Sequence, residues 1–380
     1  MIKRAFWIRR LEAAWRTAPI VWLAGVRRVG KTILAESLDE GRTEYFDCER
    51  PALEEMSKDP DLFFKSRSKP LIVLDEIHRL RDPSRLLKIG ADHYPQFKIL
   101  ATGSSTLAAS DLFKDTLSGR KQTVHLVPVL WTELESFDVS LEKRLTQGGL
   151  PPALLAPKKE AGWYREWMDS FFARDIQRLF RFRDIEKFQW FLEYVLKQSS
   201  GLFEISQASR DLGISRPTVE SHLRALTVTQ AITIVRPFHG GGNSELVRRP
   251  KVYGFDTGFV SFCRGWDPPR PSDFGALWEH MVLEFLRAIR PEHPIFYWRD
   301  GSDREVDFVL VQDRDTVDAI ECKWNPDQFD PAALRAFRTA YPQGKNYLVT
   351  PRGGPFYDRS YKEMTVRVCN PSALPGSFHP

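Results

Sequence analysis

The octapeptide Gly25-Val26-Arg27-Arg28-Val29-Gly30-Lys31-Thr32 has the pattern G-x-x-x-x-G-K-T, in which spaced glycines let successive backbone N–H groups wrap a polyphosphate. Lys31 brings a cation to the β- and γ-phosphates, and the Thr32 hydroxyl is a ligand for Mg²⁺. An apolar run, Ile20-Val21-Trp22-Leu23-Ala24, precedes the octapeptide and a helical pattern follows it. Strand, loop and helix in that order predict a nucleoside triphosphate site, with the helix adding its positive end.

A second run, Leu71-Ile72-Val73-Leu74, ends in Asp75-Glu76. Ligands of open parallel sheets sit beyond the carboxyl ends of the strands, so Asp75 is expected beside the phosphate loop, holding Mg²⁺, and Glu76 is expected to orient and polarise the attacking water. A third run, Phe97 to Thr102, ends in Gly103-Ser104-Ser105 and predicts a small hydroxyl facing the γ-phosphate.

A different constellation closes the chain. Glu321 and Lys323 in Val317-Asp318-Ala319-Ile320-Glu321-Cys322-Lys323-Trp324 alternate as residues of one strand do, so they share a face, and Asp307 in the strand-like Arg304 to Val311 can join them. Two carboxylates and a cation gathered this way are the means of metal-assisted phosphodiester cleavage, with Glu279 on the preceding amphipathic helix as a further carboxylate for Mg²⁺. Between the two sites, Phe203 to Leu226 reads as a helix ending at Gly213 and a second opening at Ser215, with Ala208, Leu212, Ile214, Val219, Leu223 and Leu226 as its core. A strand pair with a glycine-rich tip follows, and together these predict a winged helix. Arg216, Thr218, Ser221, His222 and Arg224 of the second helix are expected to face a DNA major groove, and Arg236, Arg248, Arg249 and Lys251 to meet phosphates.

The elements that must position these groups follow from the pattern. Strand-like segments near 20–24, 43–47, 70–75, 97–102 and 122–127 alternate with helices and predict a parallel α/β sheet. The expected division is a nucleotide-binding domain at 1–140, a helical lid at 141–200, the winged helix at 201–265 and a second α/β domain at 266–380. Lys plus Arg number 55 against 50 Asp plus Glu, a net charge of +5 that biases the surface mildly toward polyanions. Four dispersed cysteines form no C-x-x-C pair, which argues against zinc and disulfides and suits a cytoplasmic protein. No run approaches the roughly 18 apolar residues of a membrane span, and the basic, amphipathic start reads as a surface helix rather than a signal.

With these residues placed, the chain resembles a bacterial and archaeal family of AAA+ ATPases whose C-terminal region is a winged helix plus a restriction-endonuclease-like PD-(D/E)XK domain. GVRRVGKT, LIVLDEIHR, ATGSS, LSGR at 117–120, QGGLP at 147–151, ARDIQRLF at 173–180, GALWEHMVLEFL, YWRDGSDREVDFV and AIECKW carry the resemblance over nearly the whole length. It implies ATP at Lys31, Thr32, Asp75 and Glu76, Ser104 or Ser105 as sensor, Arg120 as an arginine reaching a neighbour's ATP, and Glu279, Asp307, Glu321 and Lys323 as a nuclease-like site. The function expected is ATP-driven remodelling of, or movement along, duplex or branched DNA by a homo-oligomer such as a hexameric ring. The alternative is an ATP-dependent regulatory switch with a DNA- or protein-binding winged helix and a catalytically inactive nuclease fold.

Overall fold

The computed structural model describes residues 2–103, 117–180, 182, 184–239 and 249–375. Ser104, Ser105, the glycine-rich tip from Gly240 and Arg248 lie outside them. Five short strands, β1 (Ile20–Ala24), β2 (Thr43–Asp47), β3 (Leu71–Asp75), β4 (Lys98–Thr102) and β5 (Lys121–His125), form one sheet in the order β2-β3-β4-β1-β5. Every pairing is parallel, with Val21 opposite Leu100 and Asp47 opposite Asp75. Strand β1 is buried along its whole length because helices cover both faces, and only a continuous apolar run survives there. The helix Ala5–Ala14 packs Phe6, Trp7 and Leu11 into the core instead of lying free on the surface.

Past the sheet, the chain is helical through Ala161–Phe171, a π-turn at Phe172–Ile176, Gln177–Phe180 and Ile185–Lys197. Next come β6 (Gly201–Leu202), the helices Ile205–Leu212 and Arg216–Val228, β7 (Ile232–Pro237) and β8 (Lys251–Gly254). Gly213, at φ +61°, ends the first helix, and the Ser215 hydroxyl caps the second by accepting from Thr218 N at 3.3 Å. The helix Phe274–Ile289 then leads to β9 (Ile295–Arg299), β10 (Glu305–Val311), β11 (Val317–Cys322), β12 (Asn346–Val349), β13 (Phe356–Tyr361) and β14 (Met364–Cys369).

These two groups of strands share one sheet. Its order is β13-β14-β12-β11-β10-β9-β7-β8-β6, and the join is a parallel pairing of Arg236 with Phe296 and Pro237 with Tyr297. The strand pair at 232–254 is therefore a continuation of the C-terminal sheet.

A buried arginine ties the segment that follows the N-terminal sheet to the helices that carry Thr257 and Glu284. Arg144, 0% exposed, donates from Nε to Val129 O at 2.5 Å and from Nη1 to Thr257 Oγ1 at 2.8 Å, and its Nη2 pairs with Glu284. Gly148 and Gly149 of the QGGLP segment lie against this network. A Cβ on Gly149 would collide with the Arg144 guanidinium, and one on Gly148 with the Asp256 carboxylate, which accepts from Gly149 N at 2.6 Å. The two glycines are there because no side chain fits.

Candidate functional site

The predicted phosphate loop leaves β1 and lines a cleft of about 1450 Å³ together with Tyr45, Asp75, Glu76, His78, Pro151, Arg174 and Asp175. Gly25 has φ +152° and a Cβ there would collide with Leu126 O; Gly30, at φ +101°, opens the helix Lys31–Glu36. Val29 anchors the loop in the core, and the buried Arg4 holds its carbonyl at 3.2 Å while pairing with Glu133 at 2.7 Å. Val26 is buried beside it. Arg27 pairs with Asp175 at 3.3 Å, and Arg28, at φ +61°, with Glu166 at 3.0 Å, so both arginines reach the helical segment across the cleft.

Lys31 Nζ donates to the loop carbonyls of Gly25 at 2.9 Å and Val26 at 3.2 Å. Burial lowers its pKa, opposed by the carboxylates of Glu76, Asp175 and Asp75. At the carboxyl end of β3, Asp75 Oδ2 accepts from Thr32 Oγ1 at 2.9 Å and from the Tyr45 hydroxyl at 2.7 Å, while Oδ1 accepts from Thr102 Oγ1. The Thr102 hydroxyl in turn accepts from Glu76 N at 3.0 Å. Glu76 sits at φ +53°, an unfavourable conformation for a branchless but Cβ-bearing residue, and its carboxylate meets His78 Nδ1 at 3.0 Å. Burial pushes the Glu76 carboxyl up, but His78, Lys31 and Arg27 bring it below its ordinary value and hold it as the carboxylate. The oxygen donors Thr32 and Asp75, side by side beyond the glycine cradle, suit a hard cation such as Mg²⁺.

Tyr45, Thr102, His78 and Asp175 escaped the sequence reading. Tyr45 and Thr102 stand near the carboxyl ends of strands flanking β3, and that position is a signal they did carry. Ser104, expected as sensor, lies outside the described residues. Arg120, expected as catalytic, is away from this chain's own cleft: it precedes β5, at the sheet edge opposite the phosphate loop, and pairs with Asp92 at 2.6 Å.

On the helix Arg216–Val228, Arg216, Glu220, Ser221 and Arg224 are exposed and Thr218 is half-buried. His222 corrects the expectation of a groove-facing residue. It is 3% exposed and packs against Phe182, Phe188 and Phe191 with ring centroids 4.7, 5.1 and 5.5 Å away. Burial among these rings lowers its pKa to about 4. Lys251, expected at DNA phosphates, is likewise buried.

The C-terminal constellation does converge, with partners the sequence did not announce. Asp307 Oδ2 accepts from Cys322 N at 2.7 Å, and Glu321 Oε2 meets Lys323 Nζ at 3.1 Å. Glu279 Oε1 accepts from the Tyr253 hydroxyl at 2.5 Å and from Lys251 Nζ at 3.1 Å, and Lys251 also pairs with Glu305. Burial raises the pKa of Glu321 well above its ordinary value, Asp307 adding to the effect and Lys323 opposing it. Glu279, Asp307 and Glu321 were expected to share Mg²⁺. In the structure these carboxylates are paired with protein cations, Glu279 with Lys251 and Glu321 with Lys323, and among the described residues no group of three or more His, Cys, Asp or Glu side chains is placed to hold a metal. Among the same residues, no helix is long and apolar enough to cross a membrane.

The sheet is parallel, with a phosphate loop after β1 and paired acids after β3, and residues 17–135 match the family described as AAA domain. Residues 138–270 and 274–365 match two families described as domains of unknown function, DUF8612 and DUF4143. Uncharacterized proteins of Mycobacterium bovis and Mycobacterium tuberculosis are each 29% identical over 320 residues, 82% of this chain and 71% of theirs. Among solved structures, the Walker-type ATPase of Pyrococcus abyssi is 17% identical with a TM-score of 0.44, covering 70% of this chain and 96% of that one. The Thermotoga maritima RuvB Holliday junction branch migration motor is 18% identical with a TM-score of 0.30, covering 62% and 90%.

Proposed function

We propose that this protein hydrolyses ATP with Mg²⁺ and uses the cycle to act on duplex or branched DNA held by its C-terminal half. The observation that carries the proposal is the linked set Thr32–Asp75–Thr102–Glu76 beside Lys31. Backbone N–H groups of Gly25 to Thr32 bind the phosphates, and Lys31 exchanges its carbonyl partners for phosphate oxygens. Mg²⁺ at Thr32 and Asp75 would neutralise charge on the β- and γ-phosphates. Thr102 fixes the position of Asp75 and of the Glu76 backbone together, and Glu76 takes a proton from the attacking water. His78, hydrogen-bonded to Glu76, sets the direction of that carboxylate.

The helices 205–212 and 216–228, with the strands after them, read as a winged helix whose exposed Arg216, Ser221 and Arg224 face DNA. The domain from residue 266 onward reads as a nuclease-like fold kept for holding DNA. Since Arg120 stands away from its own cleft, it can serve as an arginine finger only in a neighbouring copy, and the reading carries a homo-oligomer.

The test is ATP turnover and DNA affinity measured with linear and branched duplexes over a salt series. Turnover should rise with DNA, and affinity should fall steeply with salt and weaken in Arg216→Ala/Arg224→Ala. A protein that turns over ATP but neither binds DNA at low salt nor responds to it would remove the DNA half of the proposal.

A further inference from the structure

The disagreement between the C-terminal carboxylates and a metal has a specific cause. Lys251 is 2% exposed, and it comes from β8, far along the sheet from β10 and β11. Its ammonium is shared between Glu279, at 3.1 Å, and Glu305, and it lies 5.7 Å from the Tyr297 ring centroid. Glu305 is completed by Arg299 at 2.9 Å and Glu279 by the Tyr253 hydroxyl. Asp307 is close enough to attract both Lys251 and Lys323. Among the described residues, the carboxylates of Glu279, Glu305, Asp307 and Glu321 thus face the cations Lys251, Lys323 and Arg299.

One acceptor in this set is not used. Glu321 is 3% exposed, yet its Oε1 has no hydrogen-bond partner. A buried carboxylate oxygen left bare beside other carboxylates is an acceptor still open to an added cation.

Resting on the reading of this domain as nuclease-like, we infer that the Lys251 ammonium is a built-in cation that takes the place of a divalent metal, so that Lys251 and Mg²⁺ exclude one another. An ammonium and a divalent ion a few ångströms apart in a buried setting repel strongly, and Lys251, hydrogen-bonded to two carboxylates, cannot be displaced without leaving its own charge buried. The domain as folded is therefore metal-free at this cluster. Removing the lysine charge opens the site: Glu279 then lacks its cation while Glu305 keeps Arg299 and Glu321 keeps Lys323, the cluster is one positive charge short, and a hard divalent cation supplies it.

The experiment is a Mn²⁺ titration of the nucleotide-free full chain, followed by the paramagnetic signal of free Mn²⁺. Wild type and Glu321→Gln should give the same isotherm, because no Mn²⁺ depends on Glu321 while Lys251 is present. Lys251→Met should gain one site, tighter by at least about tenfold than any cluster binding in wild type, the scale of one charge contact near a protein surface. That site should vanish in Lys251→Met/Glu321→Gln. A folded Lys251→Met that gains no site overturns the inference, and Lys251→Gln replaces it if Met prevents folding. The comparison of wild type with Glu321→Gln needs no Lys251 variant, and a Glu321-dependent Mn²⁺ site in wild type also overturns it. DNA binding is measured separately, so a protein that fails to bind DNA yet gains the Mn²⁺ site counts against the DNA reading alone.

Discussion

Replacing Arg144 by Ala removes three sets of contacts at once, to Val129 O, Thr257 Oγ1 and Glu284, and leaves the Glu284 carboxylate buried without its cation. Breaking a buried pair from one side costs about 3–5 kcal/mol, far more than the pair contributes relative to an apolar substitute. The cost depends on pH in a definite direction. Burial already pushes Glu284 up to about 7, with Arg144 holding it down, so losing Arg144 moves it higher. A carboxyl whose folded pKa is raised binds its proton more tightly folded than unfolded, so stability falls as pH rises through that range. Each further unit adds about 1.4 kcal/mol of penalty at pH above the new value, and none well below the old one. Arg144→Ala should therefore lose more stability at pH 8 than at pH 6. Thermal unfolding at both pH values checks this. The midpoint should drop by roughly 6 °C or more at pH 8, if the cooperative unit is of ordinary domain size. Hydrogen exchange should rise in the helices Leu141–Gln147, Thr257–Cys263 and Phe274–Ile289, which meet at Arg144. Arg144→Met with Glu284→Leu should recover most of the loss. A single variant as stable as wild type at pH 8, or one hurt more at pH 6, would refute the reasoning.

Lys31→Ala should weaken ATP binding at least about tenfold, as one lost charge-assisted phosphate contact requires, with the far-ultraviolet spectrum unchanged; equal calorimetric affinity would remove Lys31 from the site. His222, held near pKa 4, must stay neutral in the fold, so wild type should lose stability as pH falls from about 6.5 toward 4. His222→Leu should flatten that slope in acid unfolding curves without changing DNA affinity, and an unchanged slope would assign the acid sensitivity elsewhere.

The nucleotide cleft was legible because phosphate chemistry constrains both residue types and spacing. Glycines must stand where Gly25 and Gly30 stand, and the buried parallel strands around them tolerate only continuous apolar runs such as Ile20 to Ala24. His222 was misread although the signal was present: Val219, His222 and Leu226 fall on one helical stripe, and all three are buried. A histidine among phenylalanines looks polar in the sequence and behaves as a core residue in the fold. The join between β7 and β9 carried no local signal, since a parallel pairing depends on partners about 60 residues apart rather than on a turn. Lys251 was hidden for the same reason. Its partners Glu279 and Glu305 arrive on a helix and a strand that no spacing rule links to β8. Arg144 is a surface-type residue by composition and is buried here because Glu284 pairs with it and Gly149 leaves room for its guanidinium.

The central claim is that Glu76 activates water at a site assembled around Lys31 and Asp75, and Glu76→Gln tests it most directly. The substitution keeps size and removes the proton acceptor, so ATP affinity should stay close to wild type while turnover falls by at least about 100-fold, the scale of a general base. Both quantities are measured on the same preparation, affinity by calorimetry and turnover by phosphate release. Turnover equal to wild type with ATP bound normally would contradict the account.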